Sequence, residues 1–363
     1  MNFSSTFAGK TALITGHTGF KGGWLGAWLS ALGCDVYGLS LGPITQPSLF
    51  DSECSRYFKD SKFVDICDLG EVQELVCAWK PDFIFHLAAQ ALVFESVRSP
   101  YETFRVNTLG TASLLESVRL SGHDCSLVMV TSDKCYVNKE WAYPYREIDQ
   151  LGGDDPYSAS KAAAELIISS YAKTFGNLDG LRKMVSVRAG NVVGGGDWSS
   201  DRLVPDMVRA ITKGKVLKIR NKSATRPWQH VLEPLSGYLR VAQLLGQNKI
   251  NGFQSFNFGP DTLQTRSVYN FIQSATEHTF VKGIVVEYEK SKSDVEKSLL
   301  QLDSSSARDI LNWSPTFSFS ETISFTFDWY ERFYSKQDTV ASTLDQINIY
   351  THKAVDQGKV WMI

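Results

Sequence analysis

The sequence has little cysteine, and the cysteines are scattered. Six occur in 363 residues, and no two of them form a C-x-x-C pair. This spacing argues against a disulfide framework and against a zinc site, and it fits a reducing compartment. The chain also lacks an apolar run long enough to cross a bilayer. Its first ten residues lack the basic segment and apolar core of a secretory signal. We therefore expect a cytoplasmic protein with no bound metal.

An excess of charge of either sign is missing as well. Lys and Arg total 37 against 39 Asp and Glu, a formal net charge of -2. Proteins that follow a nucleic-acid backbone need a broad basic surface, so this balance argues against them. Any phosphate group must instead be bound locally, by loop amides and a few arginines. The length favours one large α/β unit with a smaller lobe.

Short apolar runs alternate with amphipathic stretches through the first half of the chain. The runs that predict strands are Thr11–Thr15, Asp35–Leu39, Phe63–Ile66, Asp82–Leu87, Leu127–Thr131 and Met184–Arg188. The stretches that predict helices are Gly22–Leu32, Gly70–Lys80, Pro100–Leu120 and Tyr157–Lys173. This alternation predicts an α/β protein with a doubly wound parallel sheet covered by helices on both faces.

After residue 190 the pattern loosens into loops, shorter helices and scattered strands such as Ser255–Phe258 and Ile284–Tyr288. We expect a dinucleotide-binding domain over residues 1–190. A smaller substrate-binding lobe would occupy residues 191–363, with some of its segments returning to the main sheet. No function is predicted for residues 335–363.

A glycine-rich loop follows the first predicted strand. Gly16, Gly19 and Gly22 form a G-x-x-G-x-x-G pattern directly before a helix. Without Cβ atoms the backbone can turn sharply and approach a pyrophosphate, while the helix N-terminus supplies amides and positive dipole. A ligand-free glycine turn is the alternative, and the strand–loop–helix context favours a dinucleotide site. The second strand ends at Ser40 with neither the acid typical of NAD sites nor the arginine typical of NADP sites, so the residues leave that choice open.

Tyr157 and Lys161 lie one helical turn apart, on the same face of a predicted helix. A fixed cation near a phenol, whose free pKa is ~10, would favour the phenolate and let it accept a proton from a sugar hydroxyl. Spacing alone is weak evidence, because Tyr288 and Lys292 repeat it in a charged segment that reads as exposed surface. The position of Tyr157 at the head of a helix, 25 residues after Ser132, is the distinguishing feature.

A hydroxyl, a carboxyl group and an amine follow one another at the end of the fifth predicted strand. These residues are Ser132, Asp133 and Lys134. Doubly wound folds bind ligands beyond the carboxyl ends of their strands, so these side chains are candidates for the same site. A polar turn without function is the alternative.

On these motifs the sequence resembles the extended branch of the short-chain dehydrogenase/reductase family, and within it the nucleotide-sugar 4,6-dehydratases. The resemblance covers the chain from Gly16 to beyond Trp313. The stretches that carry it are residues 15–22 (TGHTGFKG), 86–90 (HLAAQ), 131–136 (TSDKCY), 155–161 (DPYSASK) and 188–198 (RAGNVVGGGDW). It implies a Rossmann-like fold, NAD as cofactor, a sugar nucleotide as substrate with CDP-glucose favoured, and a homodimer or higher homo-oligomer.

The resemblance also implies roles for individual residues. Those expected at the cofactor are Gly16, Gly19, Phe20, Gly22, Asp65, Ile66, Leu87, Ala88, Ala89, Asn107, Tyr157 and Lys161, with Asn107 as a structural or proton-relay residue. Those expected at the sugar nucleotide are Asn191, Arg202, Arg220 and Arg226, with the arginines pairing the diphosphate.

The mechanism this implies is transient oxidation of the sugar at C4, loss of water across C5 and C6, and return of the hydride to C6. Tyr157 would remove the C4 hydroxyl proton, with Ser132 hydrogen-bonded to the same hydroxyl. Asp133 is the candidate acid, and Lys134 the candidate base or enolate stabiliser. An epimerase or reductase needs no acid for a departing hydroxyl, so Asp133 and Lys134 favour dehydration. A non-catalytic dinucleotide sensor would be expected to lack the Tyr–Lys pair.

Overall fold

The computed structural model describes residues 2–177, 181–261, 266–288, 299–359 and 361. Its strands are β1 Thr11–Thr15, β2 Asp35–Ser40, β3 Asp60–Phe63, β4 Phe83–His86, β5 Ser126–Val130, β6 Lys183–Ala189, β7 Val192–Val193, β8 Leu217–Ile219, β9 Thr225–Arg226, β10 Gln229–His230, β11 Gln254–Phe258, β12 Arg266–Ser267 and β13 Val286–Tyr288.

The described helices are α1 Phe3–Phe7, α2 Phe20–Ala31, α3 Leu49–Ser52, α4 Leu69–Trp79, α5 Val93–Arg98, α6 Pro100–Phe104, α7 Gly110–Ser121, α8 Pro156–Phe175, α9 Leu203–Lys213, α10 Leu232–Gly246, α11 Val268–Ala275, α12 Ser305–Leu311, α13 Phe319–Tyr334 and α14 Thr339–Asp356. Short 3₁₀ turns occur at Cys54–Tyr57, Asp133–Cys135 and Thr279–Val281. Within the described ranges, none of these helices has the length and apolar character needed to cross a membrane.

The main sheet has seven described strands, all parallel, in the order β3-β2-β1-β4-β5-β6-β11. The chain starts in the middle at β1, moves out to β3, and then returns to β4 on the other side of β1. This reversal leaves a crevice beyond the carboxyl ends of β1 and β4, where doubly wound folds bind ligands. The predicted doubly wound parallel fold is confirmed.

Alternate residues of each strand face opposite sides of this sheet, as the pleat requires. Ala12 and Ile14 pack into the larger hydrophobic core, and Leu13 between them packs into the second. Both faces are therefore covered, which is why the strands are apolar throughout rather than alternating with polar residues. β11, from the second half of the chain, pairs with β6 at the edge of this sheet.

One strand prediction was wrong. The third strand was expected at Phe63–Ile66, but β3 covers Asp60–Phe63. β3 is an edge strand that pairs with β2 alone, and its sequence is mostly polar. The apolar residues Val64 and Ile66 follow it and line a large cavity. Their hydrophobicity therefore reflects the wall of that cavity and not a strand.

The long helix expected over Pro100–Leu120 is interrupted by a π-helical turn. α6 ends at Phe104, the π turn covers Arg105–Leu109, and α7 continues from Gly110. Such turns insert one extra residue and are frequent near functional sites. Here the turn carries Asn107, whose side chain is buried.

The last helix, α14, packs against α2 and α13. Its Thr343 hydroxyl donates a hydrogen bond to the carboxylate of Glu53, which is 1% exposed. The indole Nε1 of Trp329 on α13 donates to the Thr343 oxygen at 2.9 Å. Burial raises the pKa of Glu53 to about 7 despite the hydrogen bond from Thr343, which lowers it. Residues 335–363, to which no role was assigned, thus include a helix joined to the segment just before β3.

Glu53 gives a pH-dependence prediction. Its folded pKa lies above the unfolded value, so its stabilising contribution is present below about pH 4.5 and is lost as the pH rises through about 7. Between pH 5 and 8 we expect the free energy of unfolding of the wild type to fall by about 2 kcal/mol relative to that of Glu53→Gln. Denaturant melts of both proteins at each pH measure this difference. Glu74→Gln, on the exposed side of α4, is the control, and parallel pH profiles for Glu53→Gln and wild type would contradict the prediction.

Candidate active site

A cavity of about 830 Å³ opens beyond the carboxyl ends of β1, β4 and β5. Its wall is built from both halves of the sequence, from the glycine loop at residue 16 to Trp228 and Val268. Of the residues predicted for the site, Asn107 alone does not line it. The others that do are Gly16, Gly19, Phe20, Gly22, Asp65, Ile66, Leu87, Ala88, Ala89, Ser132, Asp133, Lys134, Tyr157, Lys161, Asn191, Arg202, Arg220 and Arg226.

The glycine loop joins β1 to α2. Gly16 has a φ of +76°, and its carbonyl accepts a hydrogen bond from the Gly19 N–H at 3.1 Å, which closes the tight turn. A Cβ at Gly16 would lie 2.7 Å from the Ala88 nitrogen, and one at Gly22 would lie 2.3 Å from the Gly16 oxygen. α2 begins at Phe20, so its free N-terminal amides face the cavity. The loop therefore requires glycine and presents backbone donors to a ligand.

Tyr157 is placed by the start of α8. Asp155 is the N-cap, and its carboxylate accepts hydrogen bonds from the Ser158 N–H at 3.0 Å and the Ser158 hydroxyl at 2.6 Å. Pro156 occupies the first helical turn, where its missing N–H costs nothing. Tyr157 donates its own N–H to the Ser96 hydroxyl at 3.2 Å. The phenol is thus held at a capped, rigid helix end beside Ser132.

The electrostatics of this pair differ from the expectation that Lys161 would hold the phenol pKa down. Burial raises the pKa of Tyr157 to about 12, and a hydrogen bond with Ser132 opposes that rise. Burial lowers the pKa of Lys161 to about 8, with partial compensation from Glu165. Desolvation outweighs the opposing interactions in both cases, because both side chains are more than nine-tenths buried. At neutral pH the phenol of the free protein is protonated.

A short 3₁₀ turn follows β5 and carries the other three candidates. Ser132 caps it, accepting from the Lys134 N–H at 3.2 Å and donating to Asp133 Oδ1 at 3.1 Å. Asp133 is 3% exposed, and its Oδ2 has no hydrogen-bond partner among the described residues. Burial raises the pKa of Asp133, and Lys134, Arg226 and Lys21 oppose the rise in that order, alongside the Ser132 hydrogen bond. A carboxyl with a raised pKa can hold a proton for transfer.

Behind the site lies a buried ion pair between Glu165 on α8 and Arg188 on β6. Arg188 Nε and Nη2 donate to the two Glu165 oxygens at 2.9 and 2.7 Å. Thr131, the residue before Ser132, donates its hydroxyl to Glu165 as well. Arg188 also donates to the Tyr136 hydroxyl at 2.7 Å. The network joins α8 to the end of β5, so it fixes Lys161 relative to Ser132.

The three arginines predicted at the substrate differ in their surroundings. Arg202 Nη1 lies 3.0 Å from Asp197, and Arg220 Nη1 lies 3.7 Å from Asp201. The Arg220 guanidinium also lies over the Phe94 ring, 4.2 Å from its centroid. Arg226 is 6% exposed and donates to the Thr225 carbonyl at 2.8 Å. These partners orient the guanidinium groups along the wall formed by the second half of the chain.

Asn107 has a structural position. Its side chain accepts from the Gln90 N–H at 2.8 Å and donates to the Gln90 carbonyl at 3.0 Å and to the Ser160 hydroxyl at 2.9 Å. It therefore ties the segment after β4 to α8. It does not form part of the cavity wall.

Comparison with known proteins gives the family. Residues 13–326 match the family model described as GDP-mannose 4,6-dehydratase. The chain belongs to the GDP-mannose 4,6-dehydratase family. It is also 39% identical over 346 residues to the CDP-glucose 4,6-dehydratase of Salmonella typhimurium (strain LT2), covering 94% of this chain and 96% of that protein.

Relatives of this dehydratase family include epimerases. The UDP-glucose 4-epimerase of Mycolicibacterium smegmatis is 30% identical over 329 residues, covering 88% of this chain and 97% of that one. The solved UDP-glucose-4-epimerase of Stenotrophomonas maltophila, with bound NAD and formylated UDP-arabinopyranose, has the same fold. Its TM-score is 0.79 at 20% identity, over 90% of this chain and 99% of that chain.

The cavity wall of this family member also contains residues that were not predicted from the sequence, among them Lys21 and Ser40. Lys21 lies inside the glycine loop and lines the cavity; burial, together with the charge of Arg202, lowers its pKa to about 8. Ser40 lines the cavity at the end of β2. Lys21 stands in the quoted motif, and its position before Gly22 at a helix N-terminus was the signal for it. The tyrosine–lysine repeat at Tyr288 and Lys292 lies partly outside the described residues, which end at 288 and resume at 299.

Proposed function

We propose that the protein is a CDP-glucose 4,6-dehydratase that converts CDP-D-glucose to CDP-4-keto-6-deoxy-D-glucose with NAD as a recycled cofactor. One observation carries the reaction class: Tyr157, Ser132 and a buried Asp133 of raised pKa face one cavity together with Lys161. The 39% identity to CDP-glucose 4,6-dehydratase along 94% of the chain supports the nucleotide and the sugar.

The residues at the glycine loop fit a dinucleotide. A Cβ at Gly16 or Gly22 would clash with neighbouring backbone atoms, so the loop requires glycine at both positions. The start of α2 offers its N-terminal amides to a pyrophosphate. Gly16, Gly19, Phe20 and Gly22 would hold that group, with Asp65 and Ile66 at the adenine and residues 87–89 along the trough. When bound, NAD supplies a hydride acceptor at C4 of the sugar and a hydride donor at C6.

Tyr157 is the base for the C4 hydroxyl in this proposal. Its phenol is protonated in the free protein. In this proposal it loses that proton once the bound cofactor has brought positive charge into the cavity. Lys161, one turn along α8, would stabilise the phenolate. Ser132, whose hydroxyl proton bonds to Asp133 in the free protein, would turn to donate to the reacting oxygen. Buried surroundings strengthen each of these interactions, because water does not screen them.

Asp133 is the acid for the C6 hydroxyl. Its buried, unpartnered Oδ2 is the atom that we assign to proton delivery, and the raised pKa keeps the carboxyl in its acid form over a wider pH range. Lys134, half-buried in the same wall, is assigned to removal of the C5 proton. Both follow Ser132 in the chain, so one turn would serve both ends of the elimination.

Arg202, Arg220 and Arg226 would bind the diphosphate of the sugar nucleotide, with Asn191 at the sugar. Within this scheme, residues 1–190 hold the dinucleotide and residues 191–363 supply the substrate side. The support is that all four of these substrate residues follow position 190 and line the same cavity as the glycine loop.

The test is turnover of a panel of sugar nucleotides. With NAD present, we expect 4-keto product, measured by its absorbance in alkali, from CDP-glucose and not from dTDP-, UDP- or GDP-glucose. Product from another nucleotide alone would keep the reaction and refute the cytidine assignment. Interconversion of glucose and galactose nucleotides would favour an epimerase instead, and inactivity on every substrate would refute the proposal.

We further propose a homodimer in a reducing compartment such as the cytoplasm. Exposed apolar side chains lie along the Pro100–Ser121 helical stretch and on α8: Tyr101 (80% exposed), Leu109 (59%) and Leu166 (61%). Apolar surface concentrated on neighbouring helices supports pairing of two copies there, and light scattering tests the mass. All six cysteines are free thiols, which supports the compartment.

A further inference from the structure

Phe94 is a cavity residue that contacts one of the three arginines proposed at the diphosphate. The guanidinium carbon of Arg220 lies 4.2 Å from the centroid of the Phe94 ring, and both side chains line the cavity. Phe94 belongs to α5 in the first half of the chain, and Arg220 follows β8 in the second half. A second of these arginines, Arg202, reaches the same segment and donates to the Ala91 carbonyl at 3.4 Å. Residues 91–94 are therefore in contact with two groups of the proposed substrate side.

The ring covers one face of the Arg220 guanidinium group and uses none of its N–H donors. These donors point outward in the plane of the group, so they can still bind a phosphate while the face is stacked. Asp201 Oδ1, the ion-pair partner, lies 3.7 Å from Arg220 Nη1, which is longer than a hydrogen bond. Asp201 therefore attracts the charge without fixing the plane, and the Phe94 ring sets the plane.

The backbone around Phe94 is fixed by side-chain hydrogen bonds on both sides of it. The Gln90 amide accepts from the Leu92 N–H at 2.5 Å and donates to the Leu92 carbonyl at 3.0 Å. The buried Ser96 hydroxyl, two residues after Phe94, accepts from the Tyr157 N–H at 3.2 Å. The ring is thus held at a set position relative to the start of α8, where the reaction at C4 is proposed.

We infer that Phe94 is a positioning residue for the substrate, which holds the Arg220 guanidinium group in one plane before the sugar nucleotide binds. The inference rests on the proposed function, since it takes Arg220 as a ligand of the diphosphate. A flexible arginine must be immobilised when it binds a phosphate, which costs about fivefold in affinity. Because the stack immobilises Arg220 beforehand, the protein avoids most of that loss.

Calorimetric titration of the full-length protein with CDP and with cytidine tests this. Phe94→Leu keeps an apolar side chain but removes the aromatic face, and we expect it to weaken CDP binding by about fivefold. Cytidine has no phosphate, so its dissociation constant should change by less than about twofold. Phe94→Tyr retains the face and should bind CDP as the wild type does. In turnover of CDP-glucose, Phe94→Leu should raise KM by about fivefold and leave kcat within about twofold of the wild type.

The chain offers a matched control for the loss of an arginine–phenylalanine stack. The Arg119 guanidinium lies over the Phe175 ring at 5.3 Å, outside the cavity wall. Phe175→Leu removes that stack and should leave both dissociation constants unchanged. In a protein that already carries Arg220→Met, Phe94→Leu should cause no further loss of CDP affinity, because the ring then has no guanidinium group to hold.

The outcomes separate this inference from the proposed function. Wild-type CDP affinity in Phe94→Leu would overturn the inference and leave the proposed function standing. Equal losses for CDP and cytidine would do the same, because they would place the ring against the nucleoside. No binding of CDP by the wild type would overturn both.

Discussion

Tyr157→Phe should reduce turnover of the sugar nucleotide by about 10⁴-fold, the upper range for removing a positioned acid–base group. The change deletes one oxygen, the atom proposed to take the C4 proton. It leaves the capped start of α8 intact, since the Tyr157 backbone bond to Ser96 does not involve that oxygen. NAD affinity should therefore stay close to that of the wild type. Steady-state kinetics and calorimetry measure the two quantities.

A control for this change lies on the same helix. Tyr171 donates its hydroxyl to Glu116 at 3.3 Å, away from the cavity. Tyr171→Phe deletes the same atom and should keep wild-type turnover. If Tyr157→Phe also turned over normally, the assignment of the phenol to the C4 hydroxyl would be refuted.

Asp133→Asn should reduce formation of the 4-keto-6-deoxy product by about 10³-fold. The amide keeps the size of the carboxyl but has no acidic proton to give to the departing C6 hydroxyl. Oxidation at C4 and removal of the C5 proton precede that step, so deuterium from D₂O should still enter C5 of recovered sugar nucleotide. Mass spectrometry of the recovered substrate measures the exchange.

Lys134→Met tests the removal of the C5 proton separately from the protonation of the C6 hydroxyl, the two roles assigned to the turn after β5. If Lys134 is the C5 base, its loss should stop deuterium exchange, the opposite of the Asp133→Asn result. The two variants alter adjacent residues of the same cavity wall, so a general disturbance of the turn would affect both readouts alike. Wild-type product formation by Asp133→Asn would remove Asp133 from the acid role.

Most of the sheet could be predicted from the sequence because its strands are buried on both faces. β1 matches its predicted bounds, and β5 and β6 match to within a residue or two, since continuous apolar runs leave little choice. The error at β3 came from the opposite situation. There an edge strand is polar, and the apolar residues after it belong to the cavity. A hydrophobic residue in the sequence indicates a buried position. It does not indicate whether that residue packs in the core or lines a cavity.

The site was predictable where a motif carries its own local structure. Asp155 and Pro156 start a helix, so Tyr157 and Lys161 had to share a face. The pKa of Tyr157 was not predictable, because it depends on desolvation by residues far apart in the sequence. The same is true of Glu165 and Arg188, which meet only when α8 packs on β6. The interrupted helix at Asn107 also left no periodic signal in the sequence.

The contact of the first two helices with residues far along the chain has a consequence for synthesis on the ribosome. The Phe3 ring stacks on Trp361 at 5.3 Å between centroids, and Trp28 on α2 packs edge-on against Tyr350 of α14 at 5.6 Å. The aromatic face of α1 and α2 is thus covered by α14 and Trp361, which are synthesised long after it. Nascent domains usually fold from the N-terminus as they emerge. In this protein the first helix pair must keep an apolar face open until α14 leaves the exit tunnel, which makes that interval the time when chaperones have most to bind.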